Sequence, residues 1–381
     1  MLIGQDILVI GGGIGGLAAA AALAQRGARV RVLEQSPAIT EVGAGIQISP
    51  NGARVLVALG IDVPGAKSTG IHLMDGLSGQ SLLRMALPTN GHGFWLCHRA
   101  DLIGALLHSA KDSGVEIILG AKVSQVHPGQ RPFVTLVDGS TLEASLIVGA
   151  DGLHAPSRKA VLETTEPFFT GQVAWRALVK GGDHPPEARV HTGPGAHVVT
   201  YPLRNVTVTN IVAVEEQTAW QAEGWSHQGD PGAFRETFAG FSDDLGMLFE
   251  RVETVHKWGL FRHPIASSWV RDNVILLGDA AHPTLPFLAQ GGVMALEDAW
   301  VLAACLAVAP QDEALARYEG LRLARVTKAI DAANANARNY HLRGFKRWGA
   351  NHALRVINRL APQRMLDRFS WLYDHDVTQE V

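Results

Sequence analysis

The sequence predicts an α/β protein of two domains, in which a parallel sheet assembled from separated stretches of chain meets an antiparallel sheet. Three units predict the parallel sheet, each a short apolar strand running into a glycine- or aspartate-bearing turn and then a helix. They are 6–10 (DILVI) into GGGIGG, 145–149 (SLIVG) into Asp151-Gly152, and 273–277 (NVILL) into Gly278-Asp279. Between them, 70–96 and 171–270 are richer in Thr, Val, Trp and Pro. They alternate in stretches such as 206–214 (VTVTNIVAV), the pattern of antiparallel strands. A length of 381 residues is too long for one compact core, and 47% hydrophobic with 18% charged residues is the composition of a globular enzyme.

The first unit carries the most information. Strand 6–10, the glycine turn, an alanine-rich helix to about Gln25 and a second strand at 29–33 ending in Glu34 make one βαβ unit. Within it lies Gly11-x-Gly13-x-x-Gly16. Such glycines, with Gly15 among them, permit a tight turn, close approach of backbone to a pyrophosphate, and close packing of helix on strand. The helix N-terminus offers unpaired N–H groups to the phosphates. Glu34, followed by Gln35, stands where a ribose hydroxyl pair is received. This is a Rossmann-like dinucleotide site, and the motif alone does not separate FAD from NAD.

The second unit, LIVGADGLHAPSR (146–158), places Asp151 at a strand end. The third, LLGDAAHPTLPFLAQGG (276–292), places Asp279 likewise and runs through a Pro-rich loop into a helix from Gly291-Gly292 to about Ala309. Asp279 suits ribityl hydroxyls, and the N–H groups at Gly291 and Gly292 suit negative charge on a reduced flavin. Either aspartate, taken singly, also reads as a helix cap.

Several classes are excluded. A net charge of −3 provides no electrostatic footprint for nucleic acid. Cys97 and Cys305 are the only cysteines, without zinc spacing, which argues against a metal centre or a disulfide framework. The apolar run Ile7–Ala24 has no Lys or Arg ahead of it and contains five glycines from Gly11 to Gly16, so it reads as strand and helix rather than a signal segment. A cytoplasmic location is expected. The C-terminal stretch 338–368 is helical in pattern, with eight Lys or Arg against Asp367 alone. It reads as a solvated helix packed on the cofactor domain, with membrane docking as the alternative.

Together with EVGAGIQISPNG (41–52), HRADL (98–102), GADG (149–152), YPLR (201–204), GDAAHP (278–283) and GGVMALEDA (291–299), these motifs resemble the para-hydroxybenzoate hydroxylase family of FAD-dependent aromatic monooxygenases. Within it they look most like salicylate, 3-hydroxybenzoate 6- and 6-hydroxynicotinate 3-hydroxylases. The resemblance implies a discontinuous FAD-binding domain (1–70, 97–170 and 271–337), a substrate domain (71–96 and 171–270) and a C-terminal helical segment (338–381). It implies bound FAD, transient NADH or NADPH, O2, a flavin C4a-hydroperoxide, a small aromatic substrate and a homodimer. It places Arg99 at the FAD phosphate or ribityl region, Val123 at the adenine, and Asp151 at a motif serving both FAD and the nicotinamide cofactor. It also places Pro286 at the flavin's reactive edge and Gln47 against the isoalloxazine.

His197 and Tyr201 are the candidates for polarising a substrate hydroxyl. Four apart in the strand-like HVVTY, they share one face of a strand, and related hydroxylases carry the same His-xxx-Tyr pair. A satisfied histidine on a half-buried sheet is the competing reading. Arg176 in AWRAL is a candidate carboxylate anchor, with cover for a sheet edge as the alternative. Phe287 stands where relatives carry His or Tyr, which removes one polar contact from the expected substrate pocket. The alternatives are a hydroxylase of a bulkier quinone precursor at the membrane and a non-hydroxylating FAD redox protein. A flavin halogenase is disfavoured, since no Trp-x-Trp-x-Ile-Pro run occurs.

Overall fold

The computed structural model describes residues 2–39, 45–162, 166–181, 185–204, 207–220 and 227–381, so 41–44 of the EVGAGIQISPNG motif lie outside the described residues. A six-stranded sheet runs in the order Val270–Arg271, Val274–Leu276, Leu146–Gly149, Asp6–Ile10, Arg29–Glu34, Glu116–Leu119. All neighbours are parallel except the first pair. From the central strand Asp6–Ile10 the chain builds first to one side and later to the other. A crevice therefore opens at the carboxyl ends of its strands, the usual place for a ligand in such sheets.

Ile7, Leu8 and Val9 are wholly buried, because helices cover the sheet and the strand reads as an apolar run rather than an alternation. Helix Ile14–Ala24 packs against Arg99–Asp112 and Gly291–Val308. Its Ala18–Ala22 run is fully buried, and the small side chains let those helices approach closely. Helix Gly291–Val308 is apolar and long enough to cross a membrane, yet most of it lies inside this core.

The second sheet has eight strands, ordered His227–Gly229, Val255–Arg262, Phe168–Lys180, Val208–Glu216, Ala196–Leu203, Glu187–Gly193, Gly70–Asp75, Ser81–Ala86. Its pairings are antiparallel apart from Glu187–Gly193 with Gly70–Asp75. Those two strands come from distant parts of the chain, and no hairpin dictates their direction. Not all of 70–96 enters this sheet: Trp95–His98 pairs instead with Gly45–Ile48 and Gly65–Lys67. Alternation divides the large sheet's faces. Trp175, Ala177, Val198, Ile211 and Ala213 pack under Phe234, Phe238 and Phe249 of two short helices. Ala174, Arg176, His197, Val199, Tyr201 and Val212 line a cavity on the other face.

The C-terminal region is helical, as Gln311–Tyr340, Gly344–Leu360, Arg364–Asp367 and Ser370–Tyr373. Helix Gly344–Leu360 packs on the strand Ser81–Ala86 of the large sheet rather than on the parallel sheet as expected. The reason is polar as well as apolar. Arg347 and Asn351 reach Asp75 at 2.5 and 2.8 Å and fasten the helix there.

Candidate active site

A cavity of about 350 Å³ lies between the carboxyl ends of the parallel strands and the inner face of the large sheet. On the first side Gly13, Gly15, Arg99, Ala150, Gly152, Asp279, Gly291 and Gly292 line it; on the second, Arg176, His197, Tyr201 and Trp258. Gln47 and Pro286 close it at the edges. Residues far apart in sequence thus share one wall.

The glycine turn works by close backbone approach. Gly11 has φ +104°, and a Cβ there would collide with the carbonyl of Ala150; a Cβ on Gly16 would collide with the carbonyl of Gly11. A Cβ on Gly13, by contrast, would meet nothing within 4 Å, so glycine at 13 keeps cavity space open. Helix Ile14–Ala24 starts here with no side-chain cap, leaving its first N–H groups for a ligand. Glu34 accepts hydrogen bonds from the N–H of Gly12 at 2.7 Å and of Ser36 at 2.8 Å, which ties the turn to the end of the second strand. Gln35 is exposed and Val123 is buried in the strand Val123–His127; neither lines the cavity.

Asp151 departs from expectation. Its carboxylate accepts hydrogen bonds from Ser157 N–H at 3.0 Å and from the Ser157 hydroxyl, and so satisfies a first-turn donor of helix Pro156–Val161 from outside the helix. Its neighbours Ala150 and Gly152 line the cavity, but Asp151 does not. Burial pushes its pKa up to about 6 against the opposing hydrogen bonds from Ser157. Asp279 does face the cavity. Enclosure by the surrounding walls raises its pKa, while His282 and Arg99 act to lower it, and none of the described residues donates a hydrogen bond to its side chain. Arg99 opens helix Arg99–Asp112 and lines the cavity; Asp101, in the same first turn, accepts from Arg204 at 3.0 Å.

The loop carrying Asp279 is held from behind by a buried charge cluster absent from the sequence reading. Asp298 accepts from Gly278 N–H at 3.0 Å, meets His282 Nε2 at 2.5 Å and accepts from Arg322 Nε at 2.7 Å. Glu297 accepts from Arg325 at 2.7 Å and from Asn51 Nδ2 at 2.6 Å. Burial opposes ionisation of Asp298, yet His282 and Arg322 outweigh it and hold its pKa down at about 2. Two adjacent acids in the otherwise apolar GGVMALEDAWVLAA were the signal that could have revealed the cluster.

On the opposite wall, His197 and Tyr201 are both buried and both line the cavity. His197 Nδ1 shares a 2.7 Å hydrogen bond with His341 Nε2, and His341 Nδ1 lies 3.1 Å from Glu216. Burial and then His341 hold the His197 pKa well below the ordinary histidine value. Burial likewise raises the Tyr201 pKa, with Arg176 opposing. Arg176 stands 5.0 Å over the ring of Trp258. Phe287 corrects the reading of position 287: it packs behind His197, with ring centroids 5.3 Å apart, and does not line the cavity. Its apolar ring fits that place, among Leu285, Trp258 and Leu260. His341 and Trp258 were not foreseen; nothing local in the sequence marks them.

These residues fit FAD. The glycine turn leaves open space, and helices Ile14–Ala24 and Gly291–Val308 both begin at the cavity without a side-chain cap. Asp279 presents an acceptor to it. A family model described as an FAD binding domain matches residues 5–333. The 3-amino-4-hydroxybenzoate 2-monooxygenase PtnB3 of Streptomyces platensis is 35% identical over 387 residues, covering 96% of this chain and 95% of its own. The 3-hydroxybenzoate 6-hydroxylase of Polaromonas naphthalenivorans is 33% identical, covering 97% and 96%. Among solved structures, Klebsiella pneumoniae HpxO complexed with FAD and uric acid superposes with a TM-score of 0.84 at 27% identity, covering 96% of this chain and 95% of that one. A salicylate hydroxylase substrate complex shares the fold, with a TM-score of 0.82 at 22% identity and 98% and 96% coverage. By sequence, cavity and relatives alike, the chain belongs to the FAD-dependent aromatic monooxygenases.

Proposed function

We propose that the protein hydroxylates a small aromatic acid bearing a ring hydroxyl, of the hydroxybenzoate or hydroxypyridine kind, with NADH or NADPH and O2 as co-substrates. The observation that carries this reading is the shared placement of His197, Tyr201 and Arg176 on the inner face of the large sheet, across the cavity from Asp279 and Gly291. Relatives named for hydroxybenzoates support the substrate class.

Gly13, Gly15, Asp279, Gly291 and Gly292 would hold FAD, which when bound would supply the redox chemistry between the nicotinamide and oxygen. The protein's own groups prepare the ring. His197, neutral because burial disfavours its charged form, takes the proton of the substrate hydroxyl and makes the ring electron-rich. Tyr201 stays protonated because burial raises its pKa, so it donates a hydrogen bond to the oxygen left behind. Arg176, braced over Trp258, meets the carboxylate. Ala174, Val199, Val212 and Leu260 form the apolar wall that keeps water from the reacting ring.

The test is oxidation of NADH and NADPH by the FAD-loaded enzyme under air. The panel is salicylate, 3- and 4-hydroxybenzoate, 6-hydroxynicotinate and anthranilate, with hydroxylated product and peroxide both quantified. Oxidation matched by product establishes the hydroxylase. His197→Ala is expected to keep FAD and to divert oxidation to peroxide; unchanged coupling would remove His197 from the mechanism. One observation favours a second reading. Helix Gly344–Leu360 exposes Phe345 (82%) and Leu360 (79%) beside basic residues, a surface suited to a bulkier, lipid-like substrate at a membrane. No response to any acid of the panel would move the assignment there.

A further inference from the structure

His197 does not end at the cavity wall. Behind it, His341 follows the last turn of helix Gln311–Tyr340, and behind that Glu216 closes the strand Val208–Glu216. The separations are 2.7 Å from His197 Nδ1 to His341 Nε2 and 3.1 Å from His341 Nδ1 to Glu216 Oε1. Exposure rises along this line: His197 is 2% exposed, His341 5%, and the Glu216 side chain 42%. We propose that His197, His341 and Glu216 form a proton line from the substrate cavity to solvent, with Glu216 fixing the direction in which it runs. The proposal rests on the reading of His197 as the base for a substrate hydroxyl.

The polarity follows from which atom is a donor. A Glu216 carboxylate only accepts, so His341 carries its proton on Nδ1 and leaves Nε2 as an acceptor. His197 must then donate from Nδ1, and its Nε2 lone pair is left for the cavity. Arg343, 2.6 Å from Glu216, holds the carboxylate at the end of the line.

In the forward step the substrate O–H bond breaks and its proton goes to His197 Nε2. The Nδ1 proton of His197 passes to His341 Nε2, and the Nδ1 proton of His341 passes to Glu216 and water. One proton enters, one leaves, and both rings end as the other tautomer. The line runs backward when the product hydroxyl is reprotonated, which resets both. A direct transfer to His197 alone would strand a cation in the core. The charged and titratable groups facing the line are Arg343 at Glu216, Tyr340 with its ring 5.3 Å from His197, and Tyr201 and Arg176 across the cavity. Burial lowers the pKa of both histidines, which keeps them neutral between transfers. His341 and Glu216 touch no substrate; they act through His197 as positioning residues.

The experiment mixes FAD-loaded enzyme rapidly with 4-hydroxy-3-nitrobenzoate, whose phenol and phenolate absorb differently, across a pH series. Benzoate serves as a binding control with no ring hydroxyl. His341→Gln and Glu216→Gln are expected to slow phenolate formation at least tenfold and flatten its pH profile, with benzoate affinity unchanged. Glu216→Asp should restore most of the rate. The ¹⁵N spectrum of the substrate-free holoenzyme should show His197 protonated on Nδ1, and Glu216→Gln should mix its tautomers. Wild-type rates and pH profiles in both His341→Gln and Glu216→Gln would overturn the line alone. Wild-type phenolate formation in His197→Asn would overturn the reading of His197 as base, and the line with it.

Discussion

Gly45 lies flat against the ring of Tyr201: a Cβ at position 45 would stand 2.5 Å from the tyrosine hydroxyl. The contact is fixed from both sides, since Gly45 N–H donates to Asn210 Oδ1 at 2.9 Å and Asn210 pairs with Tyr201 across the sheet. Gly45→Ala should therefore push the Tyr201 ring out of place. The expected result is a substrate KM raised about tenfold, matching Tyr201→Phe in direction, with FAD content unchanged. Wild-type kinetics in Gly45→Ala would mean that Tyr201 has slack to move and is not held for catalysis.

Two glycines of the same turn should fail in different ways. Gly13→Val projects into the cavity and meets no protein atom near its Cβ, so the apoprotein should keep its stability while FAD affinity falls by two orders of magnitude or more. A side chain at Gly16 would strike the backbone carbonyl of Gly11. Gly16→Ala should therefore destabilise the apoprotein by about 1–3 kcal/mol. Flavin fluorescence and denaturant unfolding of the apoproteins separate the two outcomes.

Arg322 is wholly buried between Glu297 and Asp298, 2.8 and 2.7 Å from their oxygens. Arg322→Met leaves two carboxylates facing each other in the core, with His282 and Arg325 as the remaining partners. An unfolding free energy lower by about 3–5 kcal/mol is expected. Because the cluster also holds Gly278 and His282, the variant should retain FAD poorly even under conditions where it stays folded. Full FAD retention by the folded variant would separate the cluster from the loop.

The raised pKa of Asp151, about 6, carries a sign. The folded protein binds this proton more tightly than the unfolded chain does. The contribution of Asp151 is therefore fully favourable below the ordinary aspartate pKa near 4 and is lost as pH rises to about 6. Asp151→Asn removes that dependence and keeps an acceptor for Ser157. It should stabilise the protein at pH 7 by about 1–2 kcal/mol, partial solvent access being allowed for, and flatten its stability between pH 4 and 6. An unaltered slope would place the ionised carboxylate, not its protonated form, as the native partner of Ser157.

What could be read from the sequence was what short-range spacing encodes. Gly11, Gly13 and Gly16 declare a backbone shape, and the strand–turn–helix units around Asp151 and Asp279 declare their neighbours, because i to i+5 relations survive folding unchanged. The side on which a carboxylate turns is not encoded that way. Asp151 and Asp279 occupy equivalent places at strand ends, yet Ser157 six residues on captures the first while the second is left to the cavity. Contacts across long separations were illegible altogether: His341 meets His197 from 144 residues away, and Phe287 turns behind that histidine through packing with Trp258 and Leu285. Arg204, just beyond the strand Ala196–Leu203, takes Asp101 from 103 residues away.

The parallel sheet takes its strands from 6–10, 29–34, 116–119, 146–149 and 274–276, with the large sheet's strands largely between the last two. A nascent chain of two hundred and fifty or so residues already carries the glycine turn and most of the His197 wall, but not Asp279 or the helix that Gly291 opens. Vectorial synthesis therefore delivers the glycine turn early and the Asp279 loop late. Such widely spaced pairings close slowly, leaving unpaired strand edges exposed meanwhile. Yield of active enzyme in a cell should accordingly depend on flavin supply during the period after release, before the strand Val274–Leu276 has paired with Leu146–Gly149 and brought the Asp279 loop to the glycine turn.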